Sequence, residues 1–192
     1  TVAVTLTGTN DTPAITNGPD TAALTETNAS ISSTGSMTVT DIDLSDTIAA
    51  TVDSVAITGG SFSSASVPLT NAELRAMLAL SVSSGTTSTI PANPTAGSAF
   101  TWAFTSGASG TGGVGGNKGF EFLAAGETLE LTYTVKVTDN SPDRSGQEPD
   151  FTTSTVTVTV TGTNDTPDIT VVDVTGSVIE DSSTTASGTA TA

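Results

Sequence analysis

The chain has 192 residues, with 20 acidic side chains against 4 basic ones, a formal charge of −16, and neither histidine nor cysteine. That sign repels phosphate backbones and offers no basic cluster to anionic lipid, so nucleic acid and membrane surfaces are poor partners. Without histidine or cysteine, zinc fingers, Ser-His-Asp and Cys-His catalysis, haem ligation and disulfides all drop out.

Hydrophobic residues make up 35% of the chain, and 41 threonines give it an unusual supply of β-branched side chains. An acidic, Gly/Ser/Thr-rich composition invites a reading of disorder. Strict period-2 alternation in several segments argues against it. In chain order, Ser36–Thr40, Ile48–Ile57, Leu129–Thr138 and Thr153–Thr161 each alternate apolar and polar residues between Gly, Pro, Asn or Asp boundaries, and predict strands. One segment, Asn71–Leu80, predicts a helix, with Thr70 or Asn71 as its cap and Leu74, Met77 and Leu78 on one face. Phe100, Trp102 and Phe104 alternate, which points one aromatic face into a core. Gly110–Gly115 satisfies G-x-G-x-x-G in form but follows Ser-Gly sequence and precedes no helix, so it reads as a loop. Many strands, one short helix and no strand–helix alternation predict an all-β, antiparallel Ig-like or cadherin-like sandwich, with the helix in an insertion.

The strongest signal is internal. Residues 1–16, TVAVTLTGTNDTPAIT, match residues 155–170, TVTVTVTGTNDTPDIT, at 13 of 16 positions, an offset of 154. The same offset carries Glu26 onto Glu180. A period of that length is too great for a solenoid coil and fits a string of whole domains. The expected division is 1–10 as last strand and linker of a preceding repeat, 11–165 as a complete unit, and 166–192 as the start of the next. The chain reads as a segment of something longer.

Calcium takes six to eight oxygen ligands, and this chain is rich in carboxylates while lacking imidazole and thiol, so hard cations are favoured. Asp41 and Asp43 lie two apart, which on a strand sets them on one face roughly 6.6 Å apart at Cα. Two carboxylates held that close repel, and a shared divalent cation reverses the sign. Asp11 to Asp41 leaves room for a strand or two to run out and return, which brings Asn10 and Asp11 beside Asp41 and Asp43. The plain alternative is a solvated acidic turn through Asp41, Asp43 and Asp46. Asp143, Glu148, Asp150, Asp168 and Asp173 read as surface charge.

GTNDTP after a TVTVTV strand, FEFLAAGETLELTYTVKVTDNSP and VTDIDLSDT together resemble the VCBS repeats of giant bacterial surface adhesins, over roughly 24–58 and 99–167. The same landmarks are similar to a distant cadherin domain. That resemblance implies tandem sandwiches on the bacterial cell surface, serving adhesion and biofilm formation, with Ca2+ at their junctions and neighbouring repeats as partners of an otherwise monomeric chain. It aligns Glu26, the pair Asp41 and Asp43, Asp139, and the linker residues Asn164 and Asp165 with ligands. Where cadherins carry L-D-R-E, residues 123–127 read LAAGE, and Glu127 stands one position out of register as a further ligand. The implied grouping is Asn10, Asp11, Asp41, Asp43 and Asp139 at one pole, with Glu26, Asn164, Asp165 and Glu127 at the other. A second reading takes Pro91–Gly119, with Trp102, as a carbohydrate-binding loop region. Catalysis by paired carboxylates needs a sugar-stacking cleft, for which one Trp and one Tyr are poor provision, so no enzyme is expected.

Overall fold

Alternating β-branched and apolar residues favour a pleated chain half buried on one face, and strands dominate the result. The computed structural model describes residues 1–82, 89–92, 96–107, 119–142, 149–165, 171–172 and 190–191. Its strands are β1 (Ala14–Ile15), β2 (Asp20–Thr25), β3 (Ser32–Thr40), β4 (Thr47–Gly59), β5 (Leu78–Val82), β6 (Thr89–Pro91), β7 (Ser98–Thr105), β8 (Thr128–Pro142), β9 (Pro149–Thr161), β10 (Val171–Val172) and β11 (Ala190–Thr191). Helix α1 spans Asn71–Ala76. One sheet has the order β1-β3-β7-β5, the other β2-β9-β8-β4-β6, and β10 pairs with β11.

The two larger sheets form the expected sandwich. From the first come Met37, Val39, Phe100, Trp102 and Phe104; from the second, Leu129, Leu131, Tyr133, Val135, Val137, Val156, Val158 and Val160, all buried. Phe104 meets Tyr133 edge-on across the layers, with ring centroids 6.2 Å apart. Burial of each such side chain contributes about 1.5–3 kcal/mol. Trp102 is sealed beneath Gly35, where a Cβ would stand 2.5 Å from the indole ring. Its Nε1–H donates to Asp20 Oδ2 at 2.8 Å, so the aromatic that the carbohydrate reading needs at the surface is held in the core.

Two expectations change. The sandwich is not wholly antiparallel: β2 pairs with β9 in parallel, Asp20↔Val156 through Thr25↔Thr161. The helix ends at Ala76 rather than Leu80, because Leu78–Val82 pairs antiparallel with β7. Its start is as predicted, a capping box in which Thr70 Oγ1 accepts from Glu73 N–H and the Glu73 carboxylate accepts from Thr70 N–H. Residues 1–10 form no strand, and Val2, Val4 and Leu6 are 90%, 86% and 95% exposed. The near-identical Val156, Val158 and Val160 of β9 are fully buried, so alternation makes a strand only where a sheet receives it. Gly110–Gly115, Asp143, Glu148, Asp168 and Asp173 lie outside the described residues, as does much of 91–119.

Two acidic poles as a candidate metal centre

Strands of this length carry their end residues to two poles. At the first, β3 ends at Thr40 and the chain turns through Asp41, Asp43 and Asp46 into β4. Asp43 N–H donates to Asp41 Oδ1 at 2.9 Å, and Asp46 N–H donates to the Asp43 carbonyl at 2.9 Å, which folds the three aspartates into one tight turn. Asp139 reaches the same place from β8, where it stands opposite Ile48 of β4. Carboxylate oxygens of Asp41, Asp46 and Asp139 all lie within 4.8 Å of one another, and all three residues are buried.

The linker closes over this trio. Asn10 Nδ2 donates to Asp139 Oδ2 at 3.1 Å, and Asp11 N–H donates to Asp43 Oδ2 at 2.6 Å. Asp43 therefore faces the linker, and Asp46, placed by its sequence in an acidic turn, takes the inner position. Ser141 donates its N–H to Asp139 Oδ1 and its hydroxyl to Asp46 Oδ1, at 3.0 and 2.8 Å. Asp150, read as surface charge, accepts from Thr12 Oγ1 at 3.0 Å on the same pole. Burial pushes the Asp41 carboxyl above its ordinary range, and the charges of Asp43, Asp46 and Asp139 add to the shift against a lowering bond from the Asp43 backbone. Burial does the same to Asp139, assisted by Asp46 and Asp150 and opposed by the Asn10 and Ser141 hydrogen bonds.

At the second pole, Glu26 follows the last residue of β2. It is 1% exposed. Its Oε2 accepts from both the N–H and the hydroxyl of Thr163, each at 2.9 Å. Glu121, in the turn before β8, and Asp165, after β9, complete a second trio whose carboxylate oxygens lie within 4.8 Å of one another. Gly162 allows the approach: a Cβ there would stand 2.5 Å from the carbonyl oxygens of Leu123 and Ala124. Burial, then the charges of Glu26 and Asp165, push the Glu121 carboxyl up to about 7.

Two residues of the set predicted for this second pole sit differently. The Glu127 carboxylate turns back to accept from Ala124 N–H at 2.9 Å, so Glu121, six residues earlier, holds the position beside Glu26. Asn164 is exposed, and its Nδ2 donates to the neighbouring Asp165 carbonyl at 3.3 Å. The signal for Glu121 was available in GFEFL, an acidic residue between two phenylalanines of an apolar run.

Buried polar atoms almost always have partners, and exceptions mark something further. Among the described residues, five buried side-chain oxygens have none: Asn10 Oδ1, Asp41 Oδ2, Asp46 Oδ2, Glu26 Oε1 and Glu121 Oε1. All five belong to the two poles. The described cations are engaged elsewhere, Arg75 on the Val52 carbonyl and Lys136 over the Phe151 ring. Each pole thus gathers unpaired oxygens and negative charge of the kind a hard divalent cation neutralises. No protein-family model matches this chain, and no curated protein matches it.

Proposed function

We propose that the chain is a structural extender unit whose acidic poles bind calcium and lock each sandwich to its neighbours in a tandem array, in the manner of VCBS-type surface adhesins. The observation that carries this reading is the gathering of all five unpartnered buried oxygens at the two poles. Oxygen-only donors with no imidazole or thiol favour calcium over softer metals. The Asn-Asp pair supports the tandem arrangement, since it occurs at both ends of the unit. At 10–11 it lies over Asp139 and Asp43; at 164–165 its aspartate lies with Glu26 and Glu121. One linker dipeptide then serves both halves of a junction. Asp41, Asp46 and Asp139 are the inner ligands of the downstream half, with Asn10, Asp11 and Asp43 from the linker side, and Glu26, Glu121 and Asp165 form the upstream half. A cation bridging the two stiffens a hinge into a joint, and a chain of such joints is a rod suited to the outside of a bacterial cell. No catalytic role belongs to this reading.

Extracellular calcium modules bind in the range of about 0.1–1 mM, so millimolar calcium adds about 1–2 kcal/mol per site. Scanning calorimetry in EGTA and then in 2 mM calcium tests it. The melting temperature is expected to rise by about 3–8 °C. An unchanged melting temperature would remove the proposal.

A further inference from the structure

A unit strung in an array carries tension from end to end, and the topology decides which strands feel it. The chain enters at the first pole, where Asn10 and Asp11 are held by Asp139 and Asp43. It passes through β1, paired with β3 at Ala14↔Thr40 and Ile15↔Val39 and held further by Thr16 N–H on the Thr38 carbonyl and by Asn17 on Ser36 and Thr38, and then runs along β2 to the second pole. β9 begins at the first pole, where Asp150 accepts from Thr12, and ends at Thr161, whose carbonyl accepts from Glu26 N–H at 2.8 Å. Thirteen residues of β9 set the poles roughly 40 Å apart. Among the described strands β2 is an edge strand of its sheet, with β9 as its sole neighbour.

Once these entry contacts give way, the N-terminal tension reaches the body of the sheet through β2 and leaves it through β9. Because the two are parallel, the ends pull β2 by its start and β9 by its finish, in opposite senses along the strand axes. The evenly spaced bonds of a parallel ladder then share the load and fail together. A load applied across the strands at one end would instead open them pair by pair.

We propose that the β2–β9 ladder is a mechanical clamp, giving the unit a load-bearing function separate from its cation binding. Its bonding pattern follows from one contact. Glu26 N–H reaches the Thr161 carbonyl, so period 2 turns the N–H groups of Leu24 and Ala22 to β9 as well, and that of Ala23 to the open edge. Glu26 also bolts the far end, its carboxylate holding Thr163 just beyond β9.

The chain has no cysteine of its own, so handles can be attached where wanted. Single-molecule pulling in EGTA compares two geometries: handles at the chain ends, and handles on Thr25→Cys with Thr161→Cys, a directly paired position that loads the same ladder crosswise. The end-to-end unfolding force is expected to be several-fold the greater. Ala22→Pro, which removes a ladder donor, is expected to lower the end-to-end force by about half, whereas Ala23→Pro, with its N–H at the open edge, leaves it unchanged. Equal forces in the two geometries would overturn the clamp, as would equal effects of the two prolines. The two-geometry comparison needs neither proline variant to fold. All readings are taken without calcium, so failure of the cation assignment would leave them as they are.

Discussion

The two poles are built from similar chemistry and sealed to different degrees. At the first, all three carboxylates are buried, the linker lies across them through Asn10 and Asp11, and three oxygens lack a partner. At the second, only Glu26 is fully buried, Glu121 is half-buried, Asp165 is exposed, and two oxygens lack a partner. The difference lies in what the chain supplies. The first pole has its linker folded onto it; at the second, the linker contributes the exposed Asp165 beside Glu26 and Glu121. Enclosure lowers the local dielectric, which raises both the cost of unneutralised charge and the gain from a cation. The first pole should therefore be the tighter site, and the second the one that titrates within the physiological range.

The largest expected effect is at Glu26. Glu26→Ala removes both bonds to Thr163 and, on the proposed assignment, a cation ligand, and should cost about 2–4 kcal/mol in calcium, read by denaturant unfolding. The first pole is separable from this. Asp46→Asn keeps the shape and removes one of three crowded charges, so it should raise the melting temperature in EGTA while cutting the calcium-induced gain by about 1–2 kcal/mol. A gain unaltered by Asp46→Asn would place the cation elsewhere.

The pH dependence sharpens the contrast. A carboxyl raised in the folded state binds its proton more tightly there than in the unfolded chain. The stabilisation that Glu121 contributes to the metal-free protein is therefore full below the unfolded value of 4.5 and is lost as pH rises toward about 7. Urea unfolding in EGTA across that window should show the decline, and Glu121→Gln should flatten it. The smallest effect belongs to Glu127→Gln. Its carboxylate serves a local turn, so stability should change by less than about 1 kcal/mol and the calcium response should persist. A lost response would return Glu127 to the ligand set in place of Glu121.

Much of the fold was legible because strand formation here is a local pattern. The four alternating segments became β3, β4, β8 and β9, and Phe100, Trp102 and Phe104 turned into the core as their spacing required. What escaped depended on partners distant in sequence. Residues 20–25, DTAALT, show little alternation of their own, and their parallel pairing is imposed by the buried β9 beside them. Leu78 and Leu80 fit a helix as well as a strand; the free edge of β7 decided for the strand. The poles were partly legible for the same reason. Asp-x-Asp and Asn-Asp are short motifs that spacing can display. Asp46 turns inward only because Ser141 and the β4 entry hold it there, and Glu121 joins Glu26 only because Gly162 lets two loops touch.

The central claim is that these poles hold divalent cations. The measurement that tests it most directly is an anomalous-difference map from crystals grown in millimolar calcium. Peaks about 2.3–2.6 Å from the oxygens of Asp41, Asp46 and Asp139, with a second, weaker set at Glu26 and Glu121, are the predicted result. Poles holding only water or protonated carboxyl pairs under the same conditions would contradict it.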